Sequence, residues 1–200
     1  MADAFAVVRK RGIYMQEAVP TGGAMTAVLG LDPQVIEDIC KKTADETNSV
    51  VSVANYNCPG QIVISGKTEA VAEAGEKLKE AGAKRVLPLK VSGPFHSKML
   101  VGAGEKLGKV LDTVEIHTPE IPYIANVTAD YVTDAADVKP LLMKQVSSSV
   151  RWEQTIRKML ADGVDTFIEI GPGKTLTGFM RKIDKNAKAF NIEKLEDIDK

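Results

Sequence analysis

The spacing of apolar positions predicts that the chain alternates between helices and strands. Over residues 2–18 the apolar side chains recur at roughly helical spacing, although no N-cap residue precedes them. Pro20 and the Gly22-Gly23 pair follow this segment, and such residues are typical of the end of a helix. The pattern therefore predicts a first helix over residues 2–18, followed by a break.

Residues 24–91 carry the signals of four strands and two helices. Asp32 followed by Pro33 is typical of a helix start, and Thr68 is expected to cap the second helix. A Cys-Pro-Gly turn separates the two strands that lie between the helices. The order β-α-β-β-α-β predicts a ferredoxin-like subdomain. Its strands are expected at residues 24–29, 50–57, 61–65 and 85–91.

After Pro94 the pattern becomes one of strands alternating with helices, which is typical of a parallel α/β sheet. Only about three strands are predicted here, whereas a parallel sheet covered on both faces is usually larger. This half is therefore expected to be part of a larger sheet. Helices are predicted at residues 97–114, 137–149, 152–161 and 174–183, and strands at 121–127, 166–170 and 187–192.

Composition and charge argue against several classes of partner. The 200 residues are 44% hydrophobic and 26% charged, as in a soluble globular protein. A net charge of −1 and a third strand without aromatic side chains argue against nucleic-acid binding. No apolar run reaches the ~18 residues of a membrane span, and the N-terminal pattern is not that of a signal peptide. Cys40 and Cys58 have no metal-ligand spacing, so we expect reduced thiols, no metal site and a cytoplasmic location.

His96 is the main candidate for chemistry, because it follows a Gly-Pro loop that leaves the last strand of the subdomain. Such a loop can bring an imidazole into a cleft. A neutral imidazole can take a proton from a hydroxyl and return it to a thiol leaving group. On the residues alone, a loop histidine without a special role is the alternative. His117 is the other histidine, and its polar neighbours predict a surface position.

Arg11 is the second candidate. A planar guanidinium can hold a carboxylate through two parallel hydrogen bonds, which a lysine cannot do. On the residues alone, a solvated or salt-bridged surface arginine is the alternative.

Three short segments carry a family resemblance. They are Arg11-Gly12-Ile13-Tyr14-Met15-Gln16-Glu17-Ala18, Pro94-Phe95-His96-Ser97 and Glu169-Ile170-Gly171-Pro172-Gly173-Lys174. In this order they resemble segments of malonyl-CoA:acyl carrier protein transacylases. The resemblance implies an acyltransferase of fatty-acid biosynthesis. Such an enzyme moves malonyl from malonyl-CoA to a serine, and then to the phosphopantetheine thiol of acyl carrier protein.

The resemblance also implies roles for particular residues. His96 would be the catalytic base, and the backbone carbonyl of Gln145 would accept its second N–H in place of a triad aspartate. Arg11 would pair with the malonyl carboxylate. No cofactor is implied, because the coenzyme A thioester and phosphopantetheine enter as substrates.

Further residues are expected to shape the binding cleft. The resemblance implies that Asn55 and Asn57 line it, although asparagine before Pro-Gly is also ordinary turn chemistry. Phe95, just before the histidine, resembles the phenylalanine of the Phe-His pair in related malonyl-selective acyltransferase domains. A bulky ring at that position could exclude an acyl group with a 2-methyl branch. After Gln145 the chain has a run of serines where the family often has Asn-Pro, which is a departure from the family pattern.

The nucleophile of the family is absent from the printed sequence. Neither Gly-x-Ser-x-Gly nor the Gly-Gln-Gly-Ser oxyanion loop occurs in the 200 residues. Ser92 and Ser97, the serines nearest His96, are not on a predicted strand-to-helix elbow. We therefore expect a truncated chain that begins after its nucleophile and is inactive alone. One half of a two-chain enzyme, whose missing N-terminal half carries the serine, is an alternative. A non-catalytic binding or carrier-protein docking module is another.

These patterns predict three parts. Residues 1–22 are expected to be a helix of the large domain, residues 23–91 the ferredoxin-like small subdomain, and residues 92–200 the remainder of the large α/β acyltransferase domain. The remainder is expected to expose unpaired sheet edges and apolar surface, and therefore to associate.

Overall fold

The computed structural model describes residues 2–198, which form a mixed α/β protein. Met1, Asp199 and Lys200 lie outside the described residues, so the outermost positions of the predicted parts 1–22 and 92–200 do too. The helices are α1 Ala2–Ala18, α2 Pro33–Thr47, α3 Thr68–Glu80, α4 Val101–Leu111, α5 Ala135–Gln145, α6 Trp152–Ala161 and α7 Thr175–Ile183. The strands are β1 Gly23–Leu29, β2 Val51–Cys58, β3 Gln61–Lys67, β4 Arg85–Pro88, β5 Tyr123–Ala125, β6 Asp130–Val132, β7 Thr166–Ile170 and β8 Lys188–Ile192. Short 3₁₀ helices span Lys98–Leu100 and Leu195–Asp197.

The largest sheet has four strands in the order β2-β3-β1-β4, and every neighbouring pair is antiparallel. With the connections β1-α2-β2 and β3-α3-β4, this is the predicted ferredoxin-like arrangement. Helices α2 and α3 cover one face of the sheet. The core on this face is built around Val28, Ile36, Ile64 and Leu78, none of which is exposed.

The two helices of this subdomain begin in different ways. Asp32 caps α2 as predicted, because its carboxylate accepts a hydrogen bond of 2.9 Å from the backbone N–H of Gln34. The prediction that Thr68 caps α3 is wrong: Lys67 is the N-cap, without a side-chain hydrogen bond, and Thr68 is the first helical residue. Strand β3 runs directly into α3, and the N–H of Thr68 already donates to the carbonyl oxygen of Gly22.

The second face of the sheet joins the subdomain to a helical layer. Met25, Ala27, Ala54 and Val63 form a small apolar cluster on this face, and the ring of Phe95 packs against it. The same ring packs against the core of the helical layer. In that layer α4 lies between α1 and α5. Its core consists of Met15, Val19, Leu100, Ala103, Leu107, Leu111 and Val146.

The second half contains a parallel strand pair and an antiparallel hairpin. Strands β7 and β8 pair in parallel, as expected for the α/β part of the fold class. The expectation that residues 121–127 join this parallel sheet is wrong, because β5 pairs antiparallel with β6, a strand that the pattern did not predict. Each hairpin strand has only three residues, too few to show a period of two.

Candidate active site

The loop between β4 and the first 3₁₀ helix presents His96, and its second half is buried or half-buried. Gly93 and Pro94 are buried, and His96 itself is half-buried. Its backbone φ is 59°, in the left-handed region that residues with a Cβ rarely adopt. The surrounding structure must therefore hold this conformation in place.

The last residue of α5 holds the imidazole from one side. Nδ1 of His96 lies 3.1 Å from the carbonyl oxygen of Gln145 and 3.4 Å from its side-chain Nε2. The carbonyl contact is the shorter, and it assigns the proton to Nδ1. The amide Nε2 of Gln145 then donates to the carbonyl oxygen of Ser148, at 3.3 Å. With the proton on Nδ1, Nε2 of His96 is the ring nitrogen whose lone pair can accept a proton.

The surroundings keep this imidazole neutral. Burial is the main reason that the pKa of His96 lies below its ordinary value, and the positive charge of Arg11 lowers it further. The hydrogen bonds to the backbone at Gln145 and Ser148 act in the opposite direction and raise the pKa, but less strongly. A neutral imidazole with one unprotonated nitrogen is the form that a general base requires.

Arg11 lies on α1 and is half-buried. Met15, one turn further along the helix, is in the core of the helical layer, so α1 turns this side toward the protein. Burial lowers the pKa of the guanidinium, but an arginine stays charged. Among the described residues the guanidinium has no ion pair and no hydrogen bond. Its positive charge is close enough to His96 to lower the pKa of the imidazole.

A groove of about 890 Å³ runs past His96. Its lining residues come from helix α2, from strand β2 and the residues just before it, and from His96, Lys98 and the loop 147–149. The groove is not lined by Arg11, Gln145, Asn55, Asn57 or Phe95. The roles predicted for the candidate residues, including His96, remain predictions.

The loop after Gln145 is attached to the edge of the subdomain sheet. Val150 pairs in parallel with Asn55, and the N–H of Val150 donates to the carbonyl oxygen of Ala54 at 2.8 Å. The hydroxyl of Ser149 donates to the carbonyl oxygen of Val53 at 2.6 Å. Sequence reasoning missed these contacts, because a run of three serines has no periodic pattern. They connect the carbonyl that holds His96 to the ferredoxin-like subdomain.

Other candidates lie elsewhere. His117 is exposed, as predicted, and its Nε2 lies 3.8 Å from Oε1 of Glu115. Ser97 is buried and Ser92 is exposed. Cys40 and Cys58 are buried free thiols. No group of three or more His, Cys, Asp or Glu side chains in residues 2–198 is placed to hold a metal ion. None of the helices in that range is long and apolar enough to cross a membrane.

The fold agrees with the result of comparison with known proteins. A family model described as the acyl transferase domain matches residues 1–195, and the chain belongs to this family.

Individual relatives share both sequence and structure with the chain. It is 50% identical to a malonyl CoA-acyl carrier protein transacylase of Bacillus subtilis over 198 residues, which are 98% of this chain and 62% of that protein. An acyl carrier protein S-malonyltransferase of Vibrio cholerae superposes with a TM-score of 0.95 at 42% identity, over 98% of this chain and 64% of that chain. A malonyl-transacylase solved in complex with a type II polyketide synthase acyl carrier protein superposes with a TM-score of 0.94 at 40% identity, over 98% of this chain and 63% of the other. The chain thus spans less than two thirds of the length of these relatives.

Proposed function

We propose that this chain carries the general base and the carboxylate anchor of a malonyl transfer from malonyl-CoA to acyl carrier protein in fatty-acid biosynthesis. The observation that supports this most directly is the His96 Nδ1–Gln145 carbonyl contact of 3.1 Å, beside the unpaired Arg11. The names of the relatives support the choice of malonyl as the acyl group.

The proposed reaction has two displacements. In the first, Nε2 of His96 removes the proton from a serine hydroxyl as its oxygen attacks the malonyl thioester carbonyl. The C–S bond breaks, and the imidazolium returns the proton to the coenzyme A thiolate. In the second, the phosphopantetheine thiol gives its proton to His96 and attacks the serine ester, and the serine oxygen leaves and takes the proton back. Gln145 keeps the other imidazole N–H oriented and so preserves the reactive tautomer.

Arg11 selects the acyl group in this proposal. A malonyl unit carries a free carboxylate and an acetyl unit does not. A guanidinium without a carboxylate partner among the described residues can accept that carboxylate without first breaking an ion pair. Asn55 and Asn57 are proposed to contact substrate, and Phe95 to limit branching next to the thioester.

The remaining parts of the proposal concern partners and surroundings. Malonyl-CoA and acyl carrier protein enter as substrates and no cofactor takes part. The cytoplasm is the proposed location, which two buried free thiols support. We also propose the division into residues 1–22, 23–91 and 92–200. The four-stranded ferredoxin-like sheet lies within the second of these parts and supports its bounds.

The serine belongs to a Gly-His-Ser-x-Gly turn, a sequence that does not occur in these 200 residues. We therefore propose that the 200 residues alone do not transfer malonyl, and that polypeptide outside them supplies the serine. The test is the intact mass of the 200-residue chain after incubation with malonyl-CoA, with and without an N-terminal fragment of a relative that carries this turn.

The expected result is a malonyl adduct on the added fragment that disappears with His96→Ala. An adduct on the 200-residue chain alone would show that it has a nucleophile of its own, which contradicts the proposal. No adduct on either component, in a mixture shown to form a complex, would favour a docking module instead.

A further inference from the structure

Ser97 makes a hydrogen bond that spans the turn containing His96, the candidate base. The residue is fully buried, and its hydroxyl donates to the carbonyl oxygen of Pro94 at 2.7 Å. It stands at the N-cap position of the 3₁₀ helix Lys98–Leu100, yet its side chain does not cap that helix. The hydroxyl instead closes the turn that has His96 inside it.

This turn has a backbone that needs support. His96 is in the left-handed region at φ 59°, a conformation that persists only where neighbouring contacts hold it. Pro94 is fully buried, and a buried carbonyl oxygen requires a donor. The Ser97 hydroxyl meets both requirements at once, because it pairs with that carbonyl and fixes the distance between the two ends of the turn.

Both ends of the turn are attached to the rest of the fold. Pro94 packs so closely on Gly23, the first residue of β1, that a Cβ on Gly23 would collide with the proline ring. On the other side, the carbonyl oxygen of Ser97 accepts from the N–H of Leu100 at 3.0 Å, and Leu100 is in the core of the helical layer. The hydroxyl bond thus links a point fixed on the subdomain sheet to a point fixed on the helical layer, with His96 between them.

We propose that Ser97 is a positioning residue for the malonyl transfer: its hydroxyl, bonded to the Pro94 carbonyl oxygen, keeps the imidazole of His96 seated against the Gln145 carbonyl. This inference rests on the proposed function for its catalytic consequence, but the position of the imidazole can be measured without turnover. Without the hydroxyl, the turn relaxes and the ring becomes more exposed to water.

The chain is well suited to the test, because His96 and His117 are its only histidines. Their imidazole signals are followed by NMR as a function of pH, with His117→Gln used for assignment. Ser97→Ala removes the donor, and Ser97→Cys keeps a side chain of similar size with a weak donor. The matched control is Ser65→Ala, since Ser65 is also fully buried but its hydroxyl has no partner among the described residues.

In the parent chain the pKa of His96 is expected below that of an exposed histidine, because burial dominates the surroundings of the ring and Arg11 adds to its effect. Both Ser97 variants are expected to raise the pKa of His96 toward its ordinary value, whereas Ser65→Ala leaves it unchanged. If Ser97 had only a structural role, Ser97→Ala would lower the unfolding temperature but leave the pKa of His96 unchanged. The inference would be overturned if the pKa of His96 were the same in Ser97→Ala as in Ser65→Ala. It would also be overturned if the pKa of His96 in Ser97→Cys equalled that of the parent chain.

Turnover is measured separately, in the mixture with the serine-bearing fragment. Ser97→Ala is expected to lower kcat by about tenfold, less than the ~10²–10⁴-fold contribution of the base itself, with KM for malonyl-CoA little changed. The acid limb of the pH–rate profile moves to higher pH, because a base with a higher pKa is protonated sooner as the pH falls. If His96→Ala leaves turnover intact, the proposed function fails, while the NMR titration still decides the role of Ser97.

Discussion

At the level of single residues, the site combines a half-buried neutral imidazole with a guanidinium that has no anionic partner within residues 2–198. Burial acts on both groups in the same direction, because it disfavours their charged forms. The histidine can respond by losing its proton, whereas the arginine cannot. A bound carboxylate would remove this imbalance, which supports the proposal that Arg11 selects an anionic acyl group.

Replacing Arg11 should therefore discriminate between acyl groups. Arg11→Gln is expected to remove charged hydrogen bonds of about 1.5–3 kcal/mol, a roughly 10- to 150-fold loss in kcat/KM for malonyl-CoA. Transfer of acetyl from acetyl-CoA should change little. The measurement is kcat/KM for both thioesters in the mixture with the serine-bearing fragment. Arg9→Gln, an exposed position on the same helix, is the control. An equal loss for both thioesters would assign Arg11 a structural role.

At the level of elements, the position of α5 decides where the Gln145 carbonyl lies. Helix α4 packs on α5 through small residues, and a Cβ added at Gly104 would come within 2.6 Å of the carbonyl oxygen of Met143. Met143 is only two residues before Gln145. The close approach of these helices therefore helps to place the carbonyl that orients His96.

Two glycines of α4 provide a matched test of this approach. Gly104→Ala is expected to destabilise the chain by about 1–3 kcal/mol, since α5 has to move away. Gly102→Ala meets nothing within 4 Å and should stabilise it by about 0.5–1 kcal/mol through helix propensity. Unfolding in urea, followed by circular dichroism, measures both changes. Equal effects of the two substitutions would contradict the close packing of α4 on α5.

Helix α7 depends on a carboxylate from the preceding strand. Glu169, on β7, accepts hydrogen bonds from the N–H groups of Leu176 and Thr177 and from the Thr177 hydroxyl, at 2.7–3.1 Å. Desolvation acts to raise the pKa of Glu169, but these hydrogen bonds outweigh it and hold the pKa below its ordinary value. The side chains of Asn191 and Glu193 bond to the same Gly-Pro-Gly turn from β8 and the residue after it.

The pH dependence of stability should reveal this cap. A carboxylate with a lowered folded-state pKa contributes stability above its unfolded pKa and loses it as the pH falls through the folded pKa. Glu169→Gln is thus expected to lower Tm at pH 7 by roughly 2–4 °C, while the two proteins converge at acidic pH. Thermal unfolding from pH 7 to pH 3 tests this, with Glu105→Gln, on the exposed face of α4, as the control. A Tm difference that persists at pH 3 would argue against the ionised cap.

At the level of the whole molecule, the two halves differ in how well their strands are covered. The four-stranded sheet has a core on one face and, on the other, the small apolar cluster against which Phe95 packs. The β7–β8 pair has only two strands and leaves Ile170 80% and Phe190 54% exposed. Pairs of this kind are marginally stable without further packing, and exposed apolar surface favours association.

Hydrogen exchange should therefore separate the halves. Amides of β1 and β3 are expected to exchange last, and those of β7 and β8 much earlier, because only the former lie inside a packed sheet. Mass spectrometry of deuterated peptides measures this order.

Light scattering is expected to show association that increases with protein concentration. Uniform protection of all strands in a monomer would contradict this description.

Local patterns were sufficient for much of the fold. The bounds of α1, α6 and β7 coincide with those predicted, and the capping of α2 by Asp32 follows from two adjacent residues. The short hairpin β5–β6 and the start of α3 were not predicted correctly. Three-residue strands carry too little period, and the N–H of Thr68 finds its partner in the distant residue Gly22. Contacts of this kind leave no mark on the neighbouring sequence.

The candidate site divides in the same way. Residue types and their loop or helix positions make His96 and Arg11 candidates, and the roles of these two residues and of Gln145 come from the resemblance of local motifs to those of a known family. The contact between the Gln145 carbonyl and His96 that the resemblance implies is present in the tertiary structure, across 49 positions of the chain. Only the tertiary structure decides that the guanidinium acts on the same ring and that the ring of Phe95 packs against two apolar clusters. It also reveals the hydrogen bond from the Ser97 hydroxyl to the Pro94 carbonyl oxygen, which spans the turn containing His96. The physical reason is that burial and hydrogen-bond partners depend on how distant segments pack, whereas helical and strand periods depend on neighbouring residues.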